Sequence, residues 1–231
     1  MALYSDGLID YQFIVPYLRA LGVARIDQLV VTHADKDHSG GMESLIEAMP
    51  VVEVVSSLPF ENALSAMPVP QRECRDGDTW EWDGVRFAML YPTAEQYRVP
   101  SRKTNNMSCV LKVTAAGRSM LLTSDVEAVD ELALLARHRP DLRADVLTVP
   151  HHGSRTSSTP QFIAAVGAAT AIFPVGYRNR FGHPKEDIVA RYGGYDLRRT
   201  DSEGALRVEL RQPGIRIASE REERRRYWHG R

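Results

Sequence analysis

In this sequence, four polar motifs each follow directly after a short apolar run. The runs LVVT, MLLTS, VLTVP and AIFPVGYR lead into His33, Asp125, His151 and the segment Asn179–His183, respectively. Strand-like runs also alternate with helix-like ones along the chain, which predicts an α/β protein. Because α/β proteins build their sites where strands end at one edge of the sheet, we expect the four motifs to form one shared site.

Composition is that of an ordinary globular domain. Hydrophobic residues make up 43% and charged residues 26% of the 231 residues, which argues against disorder. The net charge of -1 means that nucleic acid binding would need a local basic patch. The longest apolar stretch, residues 164–176, is far shorter than the ~20 residues that span a bilayer. Only Cys74 and Cys109 are present, and we expect two buried thiols, not a disulfide framework or a metal cluster.

Local patterns predict most of the elements. Helical spacing predicts a helix that ends at Gly22, and further helices over residues 42–49, 126–138, 160–166 and 184–192, the last with Pro184 in its first turn. Apolar and β-branched runs predict strands over residues 26–32, 51–56, 144–149 and 170–175. Turn signals predict hairpins at residues 83–84, at 115–117 and, between strands 195–199 and 205–210, at 201–204.

Five of the seven histidines lie in three short motifs. The first motif, HADKDHSGG, places His33, Asp35, Asp37 and His38 within six positions. Imidazole and carboxylate are the ligands of Zn, Mn and Fe, and a larger share of carboxylate favours harder ions. A solvated acidic turn would not explain the flanking histidines, so this motif predicts a metal site.

The later motifs supply further candidates. Asp125 ends an apolar strand, where a carboxylate is costly unless it is paired or bound to metal; capping the following helix is the alternative role. In the motif PHHGSRTSS, one of His151 and His152 can bind metal while the other contacts substrate or acts as a general acid. Spacing does not distinguish the two histidines. The segment NRFGHP adds His183 and Arg180 before a predicted helix.

These motifs occur in the same order in the metallo-β-lactamase superfamily, and in detail they resemble the carboxy-terminal domains of ComEC-like DNA-uptake channel proteins. The resemblance runs from about Asp6 to the last predicted hairpin. It implies an αββα sandwich with a metal site at one sheet edge, in a hydrolase domain at residues 1–217 followed by a charged tail at 218–231. Strands normally precede the first helix of this fold, so we expect a domain that lacks its first N-terminal strands.

The resemblance also implies roles for individual residues. It implies six metal ligands: His33, Asp35, Asp37, His38, Asp125 and one of the two adjacent histidines. The resemblance leaves that choice open, and we assign His152 to the metal. It implies catalytic roles for Asp37, which orients a water, and for His151 and His183, which stabilise the oxyanion or protonate the leaving oxygen. The substrate contacts that we expect are Asn106, Ser154, Arg155, Asn179, Arg180 and His183.

Two positions depart from the superfamily pattern. Asp35 and Asn106 stand where the superfamily usually has histidine, which makes the site richer in oxygen. We therefore expect two divalent ions, with Mn²⁺ or Mg²⁺ favoured over Zn²⁺. Two such ions would activate a water and clamp the scissile phosphodiester.

The function that the resemblance implies is a nuclease that degrades the DNA strand not imported during natural transformation. The expected partners are single-stranded DNA and a membrane channel domain of the same protein, with this domain attached to the bacterial inner membrane and facing the periplasm or exterior. Cations near the motifs supply a local basic patch: Arg102, Lys103, Arg155, Arg178, Arg180 and Lys185. The alternatives are a superfamily hydrolase of a small phosphodiester or lactone, and a degenerate domain that binds DNA without turnover.

The tail from Glu220 to Arg231 is a charge run with a net positive sign. We expect a solvated end. Contact of Arg224–Arg226, Tyr227 and Trp228 with DNA or lipid headgroups is the alternative.

Overall fold

The computed structural model describes residues 9–58, 68–99 and 102–223. The chain divides into two compact units: residues 1–76 with 91–109, and residues 77–90 with 110–231. The predictions for residues 1–8 and for the basic end of the tail, residues 224–231, lie outside the described residues.

The first unit contains a parallel sheet of three strands in the order β1-β2-β3. Leu29 of β1 aligns with Val54 of β2, which in turn aligns with Gln71 of β3. The predicted strands are longer than the observed ones, because their apolar runs continue into the loops beyond the hydrogen-bonded ladder. The described elements are α1 (Ile9–Ala20), β1 (Leu29–Val31), α2 (Lys36–Ser39), α3 (Met42–Ala48), β2 (Val54–Ser56) and β3 (Gln71–Glu73).

The first helix ends as predicted. Gly22 has a φ of 77°, and its N–H donates to the carbonyl of Arg19 at 3.0 Å, which is how a C-terminal glycine stops a helix. The core of this unit is built from Val31, Met42, Val54 and Leu58. Because the three strands are parallel, their carboxyl ends lie at one edge, and His33 follows β1 there.

A seven-stranded sheet dominates the second unit, in the order β10-β9-β8-β7-β6-β5-β4. Its strands are β4 (Thr79–Trp82), β5 (Val85–Tyr91), β6 (Val110–Ala115), β7 (Arg118–Leu122), β8 (Val146–Thr148), β9 (Thr170–Phe173) and β10 (Asp196–Arg199). The remaining elements of this unit are α4 (Ala128–His138), α5 (Pro160–Val166), α6 (Glu186–Ala190), α7 (Thr200–Glu203), β11 (Leu206–Leu210), β12 (Ile215–Ser219) and α8 (Glu220–Glu223).

The first two predicted hairpins are confirmed. The turn between β4 and β5 is Asp83-Gly84, and the turn between β6 and β7 is Ala116-Gly117. All four residues have positive φ, between 49° and 75°. Two-residue turns with positive φ at both positions match the right-handed twist of the paired strands.

From β7 to β10 the sheet is parallel, because helices connect its strands. Glu127 and Asp130 cap the start of α4 reciprocally, and Thr159 caps α5 by accepting from the N–H of Phe162. The carboxyl ends of β7, β8 and β9 therefore meet at one edge. Asp125, His151 and His183 follow these three ends.

The predicted last hairpin is wrong. Residues 195–199 were expected to pair with 205–210, but β10 pairs in parallel with β9, and β11 pairs with β12. The physical reason is that α6 returns the chain to the open edge of the sheet beside β9. Residues 201–203 then lie in α7, and Gly204, with a φ of 78°, turns the chain away from β10. The predicted domain boundary after residue 217 falls within β12.

Pro184 also differs from its prediction. It precedes α6, which begins at Glu186 with Lys185 as the N-cap residue.

The expectation of two free thiols is wrong as well. Cys74 and Cys109 form a disulfide with their Cα atoms 5.9 Å apart, and both residues are buried. The Cys74 N–H donates to the carbonyl of Ser56, and the Cys109 N–H donates to the carbonyl of Thr32. The residues that follow β3 and precede β6 are therefore tied to the ends of β2 and β1. Nothing local in a sequence separation of 35 residues indicates this pairing.

A buried acid fixes the segment that begins α5. The carboxylate of Glu131, on α4, accepts from the N–H groups of Ser158 at 2.5 Å and Thr159 at 2.8 Å. Burial raises the pKa of the Glu131 carboxyl above its ordinary value, against the opposing effect of these hydrogen bonds. The Glu131 side chain thus holds the end of the SRTSS segment at a cost in desolvation.

We expect the substitution Glu131→Gln to change how stability depends on pH. Because the pKa of Glu131 is raised in the folded state, protonation of this carboxyl favours folding. That contribution to the free energy of unfolding is fully present below the unfolded-state pKa and is lost as pH rises through the folded-state pKa. Urea denaturation from pH 4.5 to 8 should therefore show the unfolding free energy of E131Q rising relative to that of the wild type with pH. Glu43→Gln, at an exposed position of α3, is the control and should show no such trend. A constant difference between E131Q and the wild type would contradict the raised pKa.

Candidate metal centre

The first ligand set, the predicted ligands His33, Asp35, Asp37 and His38, follows β1 in the first unit. His33 is fully buried, and the rings of His33 and His38 lie 4.1 Å apart between centroids. The hydroxyl of Thr32 lies 3.2 Å from Nδ1 of His33 and 3.3 Å from Nδ1 of His38. The single turn of α2 brings His38 back beside His33, so both imidazoles are oriented from their Nδ1 side by one hydroxyl.

Each of these imidazoles has a carboxylate near its Nε2 atom. Asp35 Oδ2 lies 3.7 Å from His33 Nε2, and Asp37 Oδ2 lies 3.7 Å from His38 Nε2. Thr104 donates to the other oxygen of Asp35 at 2.5 Å. The HADKDHSGG motif therefore gathers two imidazole nitrogens and two carboxylates in one place, as predicted for a metal-binding loop.

The segment that contains Asn106 lies against this first set. Ser108 is buried, and its hydroxyl is 3.4 Å from His33 Nδ1. Asn106 lies in a single 3-10 turn, Asn105–Met107, and its carbonyl accepts from the hydroxyl of Tyr91 at 3.1 Å. The structure thus brings the predicted substrate residue Asn106 into the neighbourhood of His33.

The second ligand set, the predicted ligands Asp125 and His152, belongs to the second unit. Asp125 is buried, with an exposed fraction of only 3%. Asp125 Oδ2 lies 3.3 Å from Nε2 of His152 and 3.8 Å from Nε2 of His151. Because the N-cap residue of α4 is Glu127, Asp125 does not cap that helix. The alternative structural role for this carboxylate is therefore wrong, which strengthens its assignment as a ligand.

His152 has the surroundings of a metal-ligating histidine. Its Nδ1 lies 2.6 Å from the carbonyl oxygen of Pro174, and a carbonyl only accepts. Nδ1 therefore carries the proton, and in the neutral ring the lone pair is on Nε2, which faces Asp125. Histidines that bind metal through one ring nitrogen typically donate a hydrogen bond from the other, which fixes the tautomer in this way.

His151 and His152 are separated by an unusual backbone turn. His151, His152 and Gly153 have φ values of 48°, 54° and 77°, a left-handed conformation that is costly for residues other than glycine. A Cβ atom at Gly153 would lie 2.7 Å from Cβ of Pro184, so only glycine fits there. The turn sets the two imidazole planes 69° apart. The side chain of His151 is more exposed than that of His152, and its Nδ1 lies 2.8 Å from the hydroxyl of Thr156.

His183 approaches the same group, with its ring centroid 6.1 Å from that of His151. Among the described residues, its buried Nδ1 has no hydrogen-bond partner. Burial, with smaller effects from His151 and Lys185, lowers the pKa of His183 to about 4. His183 is therefore neutral near pH 7, and its ring N–H can donate a hydrogen bond to a phosphate oxygen.

Asn179 fixes the backbone of His183. Its Oδ1 accepts from the His183 N–H at 2.9 Å, and its Nδ2 donates to the His183 carbonyl at 2.6 Å. The observed contacts of Asn179 thus hold the loop. Its predicted contact with substrate stays a prediction.

The contacts of the other predicted substrate residues lie within the second unit. Ser154 is buried, and its hydroxyl oxygen lies 3.2 Å from that of Thr156. Arg155 is 68% exposed and donates from Nε to both oxygens of Asp187 at 3.0 Å. The guanidinium of Arg180 lies over the ring of Phe181 at 4.9 Å from its centroid.

Sequence reasoning missed two residues near the second ligand set. Phe181 stacks on His183, with 5.9 Å between ring centroids and 18° between the ring planes. Its alternation with arginine in the segment YRNRF was the available signal. Glu127, whose Oε1 lies 4.0 Å from Nδ1 of His151, gave no signal beyond its place two residues after Asp125.

Comparison with known proteins identifies the family. The metallo-beta-lactamase superfamily matches residues 5–176, and the chain belongs to that superfamily. It is 36% identical to competence protein ComA of Neisseria gonorrhoeae over 207 residues, which cover 88% of this chain and 28% of that protein. It is 34% identical to ComE operon protein 3 of Bacillus subtilis over 209 residues, which cover 86% and 26%. The chain thus spans about a quarter of the length of these relatives.

Among solved structures, the diiron β-hydroxylase CmlA of Streptomyces venezuelae matches with a TM-score of 0.52 at 14% identity. The match covers 85% of this chain and 45% of that one, and shows the fold alone. The predicted α/β class and the resemblance to the superfamily are confirmed.

The superfamily fold implies divalent metal binding, and the donors present fit such an ion. Each ligand set combines imidazole nitrogen with carboxylate oxygen, and the buried Asp125 carboxylate faces an imidazole lone pair instead of a permanent cation. That all motifs form one shared site stays a prediction. Within the described ranges, none of the helices is both long enough and apolar enough to cross a bilayer.

Proposed function

We propose that this chain is a metal-dependent phosphodiesterase that hydrolyses DNA, as the nuclease domain of a ComEC-like competence protein. The observation that carries the proposal is the buried pair of Asp125 and His152 at the carboxyl edge of the parallel strands, with His151 and His183 beside it. The competence proteins among its relatives support DNA as the substrate. On this proposal, the strand degraded is the one that is not imported.

The proposed ligands are three histidines and three aspartates: His33, Asp35, Asp37 and His38 of the first set, and Asp125 and His152 of the second. We propose two divalent ions, with Mn²⁺ or Mg²⁺ preferred over Zn²⁺ because half of the donors are carboxylates. When bound, a divalent ion supplies Lewis-acid polarisation of the phosphodiester and activation of water.

The remaining roles belong to side chains of this protein. Asp37 orients the attacking water. Neutral His183 and the Thr156-held His151 hydrogen-bond the phosphate oxygens or pass a proton to the leaving oxygen. Asn106, Ser154, Arg155, Asn179 and Arg180 are the proposed contacts to the DNA backbone.

The disulfide and the relatives support a proposed location. Disulfides persist in oxidising compartments and are rare in the cytosol. The Cys74–Cys109 bond therefore supports a domain that faces the periplasm or exterior. We propose that a membrane channel domain of the same protein attaches it to the inner membrane.

An activity screen tests the function. The purified protein is given Mn²⁺, Mg²⁺ or Zn²⁺ with single-stranded DNA, duplex DNA or bis-p-nitrophenyl phosphate, and bound metal is counted by elemental analysis. We expect Mn²⁺- or Mg²⁺-dependent cleavage of single-stranded DNA. Asp37→Ala should lower the rate by about 100-fold or more, and Asp27→Ala, at an exposed carboxylate, should not.

Each other outcome selects an alternative. Turnover of bis-p-nitrophenyl phosphate without DNA cleavage would indicate a hydrolase of small phosphodiesters. DNA binding without bound metal would indicate a degenerate domain. Full nuclease activity in Asp37→Ala would overturn the assigned site.

A further inference from the structure

The loop between β9 and α6 displays aromatic and cationic side chains together. Tyr177 is 66% and Phe181 is 50% exposed, although both are large apolar rings. An arginine guanidinium lies over each ring. That of Arg178 is 5.1 Å from the ring centroid of Tyr177, and that of Arg180 is 4.9 Å from the ring centroid of Phe181. Aromatic rings interleaved with arginine are the side chains that bind unpaired nucleotides, through base stacking and phosphate pairing.

Hydrogen bonds hold Phe181 in its exposed position. The N–H of Gly182 donates to the carbonyl of Asn179 at 3.1 Å, and the Lys185 ammonium donates to the carbonyl of Phe181 at 2.7 Å. The amide of Asn179 closes the loop on both backbone groups of His183. Phe181 is therefore presented by a fixed turn, which lowers the entropic cost of stacking a ligand on it.

The position of Phe181 relates it to the second ligand set. Its ring is nearly parallel to that of His183, whose centroid lies 6.1 Å from that of His151. His151 Nε2 in turn lies 3.8 Å from Asp125. Phe181 thus lies next to His183, one of the two histidines assigned to the phosphate.

We infer that Phe181 is a platform for a nucleobase of a single-stranded polynucleotide, placed next to the phosphodiester that is cut. The inference rests on the proposed function and deepens it by naming the side chain that recognises an unpaired base. The Arg180 guanidinium yields its place over the ring to the base and pairs with the neighbouring phosphate. Bases inside a duplex are already stacked on both faces, so the platform selects unpaired strands with little regard to sequence.

The test separates base recognition from backbone recognition. Fluorescence anisotropy measures binding of a labelled single-stranded oligonucleotide and of an abasic oligonucleotide of the same length, in EDTA so that neither is cut. We expect Phe181→Ala to weaken binding of the base-bearing strand roughly 5- to 100-fold, and that of the abasic strand less than about twofold. Phe181→Trp should retain the affinity, and Tyr17→Ala, at an exposed tyrosine of α1, should leave both affinities unchanged.

Two results would overturn the inference: equal weakening of both strands by Phe181→Ala, or no weakening of either. Binding is read without turnover, so the test stands even if the protein hydrolyses nothing.

Discussion

Replacing Asp125 with asparagine is expected to lower both metal affinity and phosphodiesterase activity by about 100-fold or more. Asparagine has nearly the same shape, so the change removes one negative charge from a buried position beside His152 and His151. Loss of a group that only supports a metal ligand costs about 10- to 100-fold. Loss of a ligand that also carries charge should exceed that range.

Calorimetric titration with Mn²⁺ and turnover of bis-p-nitrophenyl phosphate measure the two effects of Asp125→Asn. Thermal unfolding in EDTA should show that the variant is at least as stable as the wild type, because a buried carboxylate without a cation is costly. Asp141→Asn, whose side chain is 67% exposed, is the matched control and should change none of the three quantities. Undiminished Mn²⁺ affinity in Asp125→Asn would show that this carboxylate is not a ligand.

Elements with a local physical cause could be predicted from the sequence. Asp83-Gly84 specifies its hairpin because both residues tolerate positive φ. The start of α5 is specified by Thr159, which caps the helix, and by Pro160, which favours its first turn. The ligand motifs were equally visible, because a strand that ends in histidine or aspartate marks a sheet edge. Within each unit, the structure groups the histidines and aspartates that the motifs named.

Features that depend on tertiary neighbours could not be predicted. The pairing of β10 with β9 depends on where α6 returns the chain, and the hairpin signal around Gly204 suggested a different partner. The distinct environments of His151 and His152 come from a left-handed turn and from the carbonyl of Pro174, which lies 22 residues away in sequence. Spacing alone contains neither fact.

The disulfide is the clearest of these features, and its removal should have the largest effect on stability. A bond that closes a loop of 35 residues lowers the entropy of the unfolded chain by an amount worth about 4 kcal/mol. We therefore expect the double variant Cys74→Ser/Cys109→Ser to lose about 4 kcal/mol in free energy of unfolding. Both cysteines are buried, so two hydroxyls in their place add to the loss.

Loss of the disulfide should also weaken metal binding by the first ligand set. Cys109 directly follows Ser108, whose hydroxyl is 3.4 Å from His33, and the Cys109 N–H bonds the carbonyl of Thr32. Urea denaturation and Mn²⁺ titration, each with and without dithiothreitol, measure both effects. Reductant should lower the stability and the metal affinity of the wild type toward those of the double variant, and should leave the double variant unchanged. If the wild type in dithiothreitol stays as stable as the oxidised protein while free-thiol titration shows the bond to be open, then packing around Cys74 and Cys109, and not the covalent link, holds this segment beside His33.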